Sequence, residues 1–246
     1  MLPIVARWKD VTSEILGPLH FPRHLLVAAR FALLALWSVS AVCRLMFRND
    51  VLRNVFAGIG AHSALPLESP GSSAVAWALM GAAHAAGWPI VRGGSQRISD
   101  ALALYLSTLD GRIVTNHRVD CLDSFTNQLV LCDVTPRLLL GMARNTLPDQ
   151  FCRTLREYRY GPGIFKVDWA LDGPIPWRAP DCLRAATVHL GGTWNEVSAS
   201  EASAWTGRIC EKPFVILTQP SLFDHTRTHQ GMPGRIAIYR TDRPWT

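Results

Sequence analysis

The sequence predicts an α/β (α+β) fold, and three observations predict it. The first 86 residues are dominated by apolar stretches long enough for helices. A loop at Gly93-Gly94 then runs into a helical stripe, a turn and an extended segment. From Ile164 onward, three short strand-like segments separated by loops, with one helix among them, describe an antiparallel sheet.

Leu2 to Gly17 reads as a short helix that stops before Pro18, and Phe21-Pro22-Arg23 breaks the chain. Leu25 to Phe47 is strongly apolar, but Arg30 interrupts it and the longest uncharged run, Phe31 to Cys43, has 13 residues. A bilayer-spanning helix needs about 20 mainly apolar residues, so this run reads as a buried or interfacial helix. It would line an apolar cavity or touch a bilayer surface. Asn49 to Ile59 is a further helix, followed by the small-residue junction Gly58 to His62 and a loop from Leu65 to Gly71. Ser72 to Ala86 returns as a helix whose alanines and glycines suit close packing. His62 and His84 lie in apolar surroundings without an acidic neighbour and read as hydrogen-bonded core histidines.

Glycines at 93 and 94 allow either a ligand or a tight turn to bring backbone close. Ile98, Ala101, Leu102, Tyr105 and Leu106 then recur at helical spacing. Asp110-Gly111 is turn chemistry, Arg112 to Val114 reads as a strand, and Asn116 to Leu122 as a second extended piece with Val119 and Leu122 as its apolar members. Gln128 to Cys132 reads as a short buried strand that ends at Asp133-Val134-Thr135-Pro136, with a helix over Arg137 to Ala143. Gln150 to Arg159 is a charged, exposed helix. Ile164 to Leu171 is a strand with Phe165, Val167 and Trp169 on one face and Lys166, Asp168 and Ala170 on the other. Ala185 to Leu190 and Pro213 to Gln219 are two more strands, with Glu196 to Trp205 helical between them.

Nearly half of the 246 residues are hydrophobic and 18% are charged, which excludes a disordered chain. The formal charge of +6 is led by arginine, in the groups Arg44, Arg48, Arg53 and Arg153, Arg156, Arg159. No aromatic-interleaved basic motif accompanies it, so a nucleic-acid partner is not expected. A solvated basic face, or mild attraction to anionic lipid or a nucleotide phosphate, accounts for the charge. Six scattered cysteines without a C-x-x-C spacing predict reduced thiols in a cytoplasmic protein and no metal site. The start of the chain has no signal-peptide pattern. Ser95 does not sit in a G-x-S-x-G elbow. Asp224-His225 is adjacency and not a dyad. His225 and His229 have ligand-like spacing in a stretch unsuited to a helix.

Taken together, "GGSQRISDAL", "FKVDWALDGPIPWRAPDC", "TVHLGG" and "QPSLFD" resemble FAD-dependent phytoene dehydrogenase-like oxidoreductases, within the amine oxidase-like flavoprotein group. The resemblance runs from roughly Leu16 to Gly231. It implies that Gly93 and Gly94 lie beside the flavin, that Val119 meets the adenine through its backbone, and that Thr135 and Pro136 approach the cofactor. It further implies that Lys166, in the setting Gly161, Gly163, Lys166, Val167, holds a water near the flavin and is the catalytic candidate. The competing reading of Lys166 is an edge-strand lysine paired with Asp168. The implied activity is dehydrogenation or isomerisation of a C–C bond in an apolar polyene or lipid, with FAD accepting the hydride; peripheral membrane contact is expected only from the apolar run after Leu25.

One departure matters. A strand followed by G-x-G-x-x-G and a helix, which would receive the pyrophosphate, does not occur in this sequence. The expectation is therefore an internal fragment of such an enzyme. It divides into a helical cap (1–86), part of an FAD-binding domain (87–145), an antiparallel substrate-binding region (146–231) and an unrelated tail (232–246). The alternative is a non-catalytic module that binds an apolar ligand or a partner without holding flavin.

Overall fold

The computed structural model describes residues 2–18, 20–143, 146–227 and 234–244. They form two compact units, one of residues 1–98 with 161–246 and one of residues 99–160. The coarse α+β expectation is met: helices dominate, and the strands form a small antiparallel sheet.

In the first unit, the expected N-terminal helix is two, α1 (Leu2–Ala6) and α2 (Trp8–Ile15), because the Arg7 backbone leaves the helical region. The break turns Trp8 onto α6 (Ser73–Ala86), where a Cβ on Gly81 would lie 2.5 Å from the indole. The apolar run from Leu25 is also two helices, α3 (Leu25–Ala35) and α4 (Val39–Leu45), bent by 89°. Hydrogen bonds explain the bend. The last carbonyls of α3 find donors at the start of α6: Ser73 Oγ donates to Leu34 at 2.8 Å, the Gly71 amide to Leu36 and the Ser73 amide to Trp37. Ser38 caps α4 by accepting from the Ala41 amide, and buried Ser72 Oγ accepts from the Val39 amide. No single helix among the described residues is long and apolar enough to cross a membrane; the α3–α4 pair passes on length and composition, but only as that bent pair.

α5 (Asp50–Gly60) starts at an Asn49 cap and carries Phe56, fully buried between Phe47 and Trp77 with ring centroids 5.3 and 4.9 Å away. Val39 fills the space that a Cβ at Gly60 would occupy. These contacts form the core with Val42, Cys43, Leu67 and Ala76. α10 (Trp194–Trp205) opens with a capping box between Thr193 and Glu196, and Asn54 of α5 accepts from its Trp194 amide. Val197, Ser198, Ser200, Glu201 and Ala204 form its buried face.

The sheet has the order β1 (Pro162–Leu171), β4 (Gly234–Pro244), β3 (Val215–Thr218), β2 (Thr187–Leu190), with every pair antiparallel. Residues 234–244, expected as a tail without resemblance to the rest, are thus the strand between β1 and β3. Residues 232, 233, 245 and 246 lie outside the described residues, as does His229.

The second unit contains most of α7 (Gln96–Thr108) with α8 (Pro136–Met142) and α9 (Asp149–Arg156), the last two packed together. Asp110, at φ 58°, and Gly111 end α7 as the turn chemistry requires, with the Gly111 amide donating to the Leu106 carbonyl. The strands expected over Arg112–Val114, Asn116–Leu122 and Gln128–Cys132 are absent. A strand needs a neighbour for its N–H and C=O groups, and the described residues of this unit supply no ladder. Leu129 and Leu131, expected to be buried, face water instead.

Candidate functional site

Gly93 and Gly94 both have left-handed backbone, at φ 84° and 94°, as the loop ahead of α7 demands. No atom lies within 4 Å of where a Cβ on Gly94 would be. The Gly93 amide is engaged. It donates to Asp224 Oδ2 at 2.8 Å. Asp224 is buried and also accepts from the Thr226 hydroxyl, the Thr226 amide and Arg227 Nε, while Arg227 Nη2 donates to the Val91 carbonyl at 2.8 Å. The Thr226 hydroxyl above all, with the Gly93 amide and Arg227, holds the Asp224 carboxyl at about 2, against the opposing effect of burial. The loop is therefore closed by the chain's own carboxylate.

Lys166 sits on β1, an edge strand, and its Nζ is 2.5 Å from Asp168 Oδ2 with both side chains substantially exposed. This is the edge-strand pairing weighed above. Val119 is half-buried in a segment without regular structure. Thr135 caps α8, its Oγ1 accepting from the Leu138 amide at 3.3 Å, and Pro136 is the first helical residue, where its missing N–H costs nothing. Of the residues singled out in the sequence, Gly93, Gly94 and Lys166 belong to the first unit and Val119, Thr135 and Pro136 to the second.

Two sites escaped the sequence. His62, in the turn after α5, and His189, on β2, meet Nε2 to Nε2 at 3.0 Å. Gly58 makes room for this: a Cβ there would be 2.8 Å from His189 Nδ1. The edge of Phe214 covers the other side of the His189 ring. Burial, then His62, lowers the His189 pKa to about 4, and burial lowers that of His62. His62 makes the expected hydrogen bond but is exposed in the turn after α5, and His84 is exposed in the last turn of α6, so neither is the core histidine expected; apolar neighbours in sequence do not bury a residue at a helix end. The second site is Glu201, buried on α10, whose Oε1 has no hydrogen-bond partner and whose pKa burial raises to about 7. Its signal was legible: Val197, Glu201 and Ala204 fall on one helical stripe, so the glutamate had to point inward. Nothing local links His62 to His189, 127 residues apart. Among the described residues no group of three or more His, Cys, Asp or Glu side chains could hold a metal.

No family model and no curated protein matches the chain.

The described residues at the start of α7 offer no seat for a pyrophosphate. Such a seat needs free amides at a helix N-terminus behind a strand. Among the described residues no strand precedes α7, and the Gly93 amide already holds a carboxylate that would repel a phosphate.

Proposed function

We propose that this chain is a phytoene dehydrogenase-like module that binds an apolar polyene or lipid, in the lineage of FAD-dependent oxidoreductases, without itself seating the flavin dinucleotide. The motif set supports the lineage. The observation that carries the binding reading is α3: Leu25, Leu26 and Leu33 on it, with Leu36 at its C-terminal cap, are 58 to 79% exposed. Isolated exposed leucines are ordinary, but a row of them is surface that an apolar ligand or a bilayer would remove from water. Arg23 and Arg30 beside the row suit peripheral contact with anionic lipid.

A second reading is a working FAD-dependent oxidoreductase with Lys166 in the catalytic role. The open space at Gly94 favours it, since backbone there is free to be approached.

One pair of measurements separates the two. The purified chain is passed through a desalting column after incubation with FAD, and its visible spectrum is recorded. In parallel it is titrated with parinaric acid, a fluorescent polyene. The module reading expects polyene fluorescence to rise and no flavin bands to remain. Retained flavin bands favour the oxidoreductase. A chain that takes up neither sinks both.

A further inference from the structure

The His62–His189 contact has a property that follows from imidazole chemistry alone. A hydrogen bond between two Nε2 atoms needs one ring to donate and the other to accept, so the pair is complete with a single proton between the rings. Protonating the accepting ring leaves two N–H donors facing each other across 3.0 Å, one of them on a charged ring, and protonating both rings puts two cations there.

The His62 side is open to water, but among the described residues no carboxylate faces the pair. On β3, the residue paired with His189 is Ile216, and Phe214 lies edge-on to the ring. On α5, Gly58 faces the ring with no side chain, while Asp50 and Arg53 pair with each other at the opposite end of the helix. On α10, Glu196 is bound by Thr193 and lies 3.6 Å from Lys212, and Glu201 is buried without acting on either imidazole. Among the described residues, His62 is the one charged or titratable group that acts on His189.

We propose that His62 and His189 form an acid-sensitive latch that holds edge strand β2 against the end of α5 while neutral and releases it on protonation. β2 is suited to release. It has four residues, lies at the edge of the sheet and, among the described residues, pairs with β3 alone.

The sign is fixed. His189 has its pKa depressed in the folded chain, from 6.5 to about 4, so the latched state binds fewer protons than the open one. Latching is fully present above pH 6.5 and is lost as pH falls towards 4. Glu201 acts in the opposite sense, since its raised pKa makes the fold more stable on acidification. It cannot mimic the effect.

The test is amide hydrogen exchange of the whole chain at pH 7.5 and pH 5, corrected for intrinsic exchange. The Thr187–Leu190 amides should lose protection by about thirtyfold, the value that a drop from 6.5 to about 4 gives at pH 5. His62→Gln, which can still hydrogen-bond but carries no titrating ring, should weaken that dependence by the part His62 contributes, while burial of His189 keeps the rest. Imidazole nitrogen NMR on the unsubstituted protein gives a readout that no variant can compromise: one Nε2 protonated and one bare at pH 7.5. Equal loss of protection in wild type and His62→Gln, or two rings titrating independently near 6.5, would overturn the latch.

Discussion

Asp224 Oδ2 accepts a hydrogen bond from the Gly93 amide at 2.8 Å, joining residues 131 apart in the chain. The loop is tied twice, because Arg227 holds both Asp224 and the Val91 carbonyl. The expected consequence is protection of the Arg92–Gly93 bond from trypsin. Asp224→Ala should speed cleavage there severalfold under native conditions, read by mass of the first fragments. Unchanged cleavage would mean that the loop holds its shape without the carboxylate.

The same tie has a pH limit. Asp224 titrates at about 2 in the folded chain against 3.8 for a free carboxyl. Its contribution is present above 3.8 and is lost as pH falls through about 2. The Arg92–Gly93 bond should therefore remain protected against pepsin-independent, acid-tolerant proteolysis at pH 4.5 as well as at pH 7.

Glu201→Met should stabilise the protein, and more so in alkali. The buried carboxyl is neutral at low pH and must ionise above about 7, where the fold disfavours it. Urea denaturation should show a gain at pH 8.5 that exceeds the gain at pH 5 by about 2 to 3 kcal/mol. A gain independent of pH would mean that Glu201 reaches solvent when charged.

Phe56→Ala should cost about 3 to 5 kcal/mol, the range for emptying a buried aromatic site. Its ring lies between Phe47 and Trp77 and is fully buried, so truncation leaves a void in the centre of the core. Equilibrium denaturation measures it.

Lys166→Met should leave stability within about 0.5 kcal/mol, because an exposed pair with Asp168 contributes little. If Lys166 serves flavin chemistry, substrate oxidation in the presence of FAD should nonetheless fall by about 10²-fold or more. A stability loss without a rate effect would assign the residue to the strand alone.

What the sequence revealed follows the range of the interactions involved. α5, α6, α7 and α10 were legible because helical composition and periodicity are local, although the Thr193 cap starts α10 two residues before the expected Glu196. The bend after Ala35 was not, since its cause is Ser73. Gln128 to Cys132 misled for the converse reason: its apolar residues satisfy strand preference, but preference does not supply a partner. In the site, the positive φ of Gly93 and Gly94 could be foreseen from residue type. The Asp224 carboxylate at that amide, and the meeting of His62 with His189, depend on chain closure over more than a hundred residues and leave no local pattern.

The serines that bend the Leu25–Leu45 segment come late in synthesis. Ser73 lies 38 residues beyond the Ala35 carbonyl it approaches. At about 5 to 20 residues per second, a ribosome takes roughly 2 to 8 seconds to deliver it. For that interval the nascent chain displays an apolar stretch with nothing to fold it back, and factors that survey emerging chains meet it first. Replacing Ser72 and Ser73 would lengthen that exposure and send more of the newly made protein to chaperones and proteases.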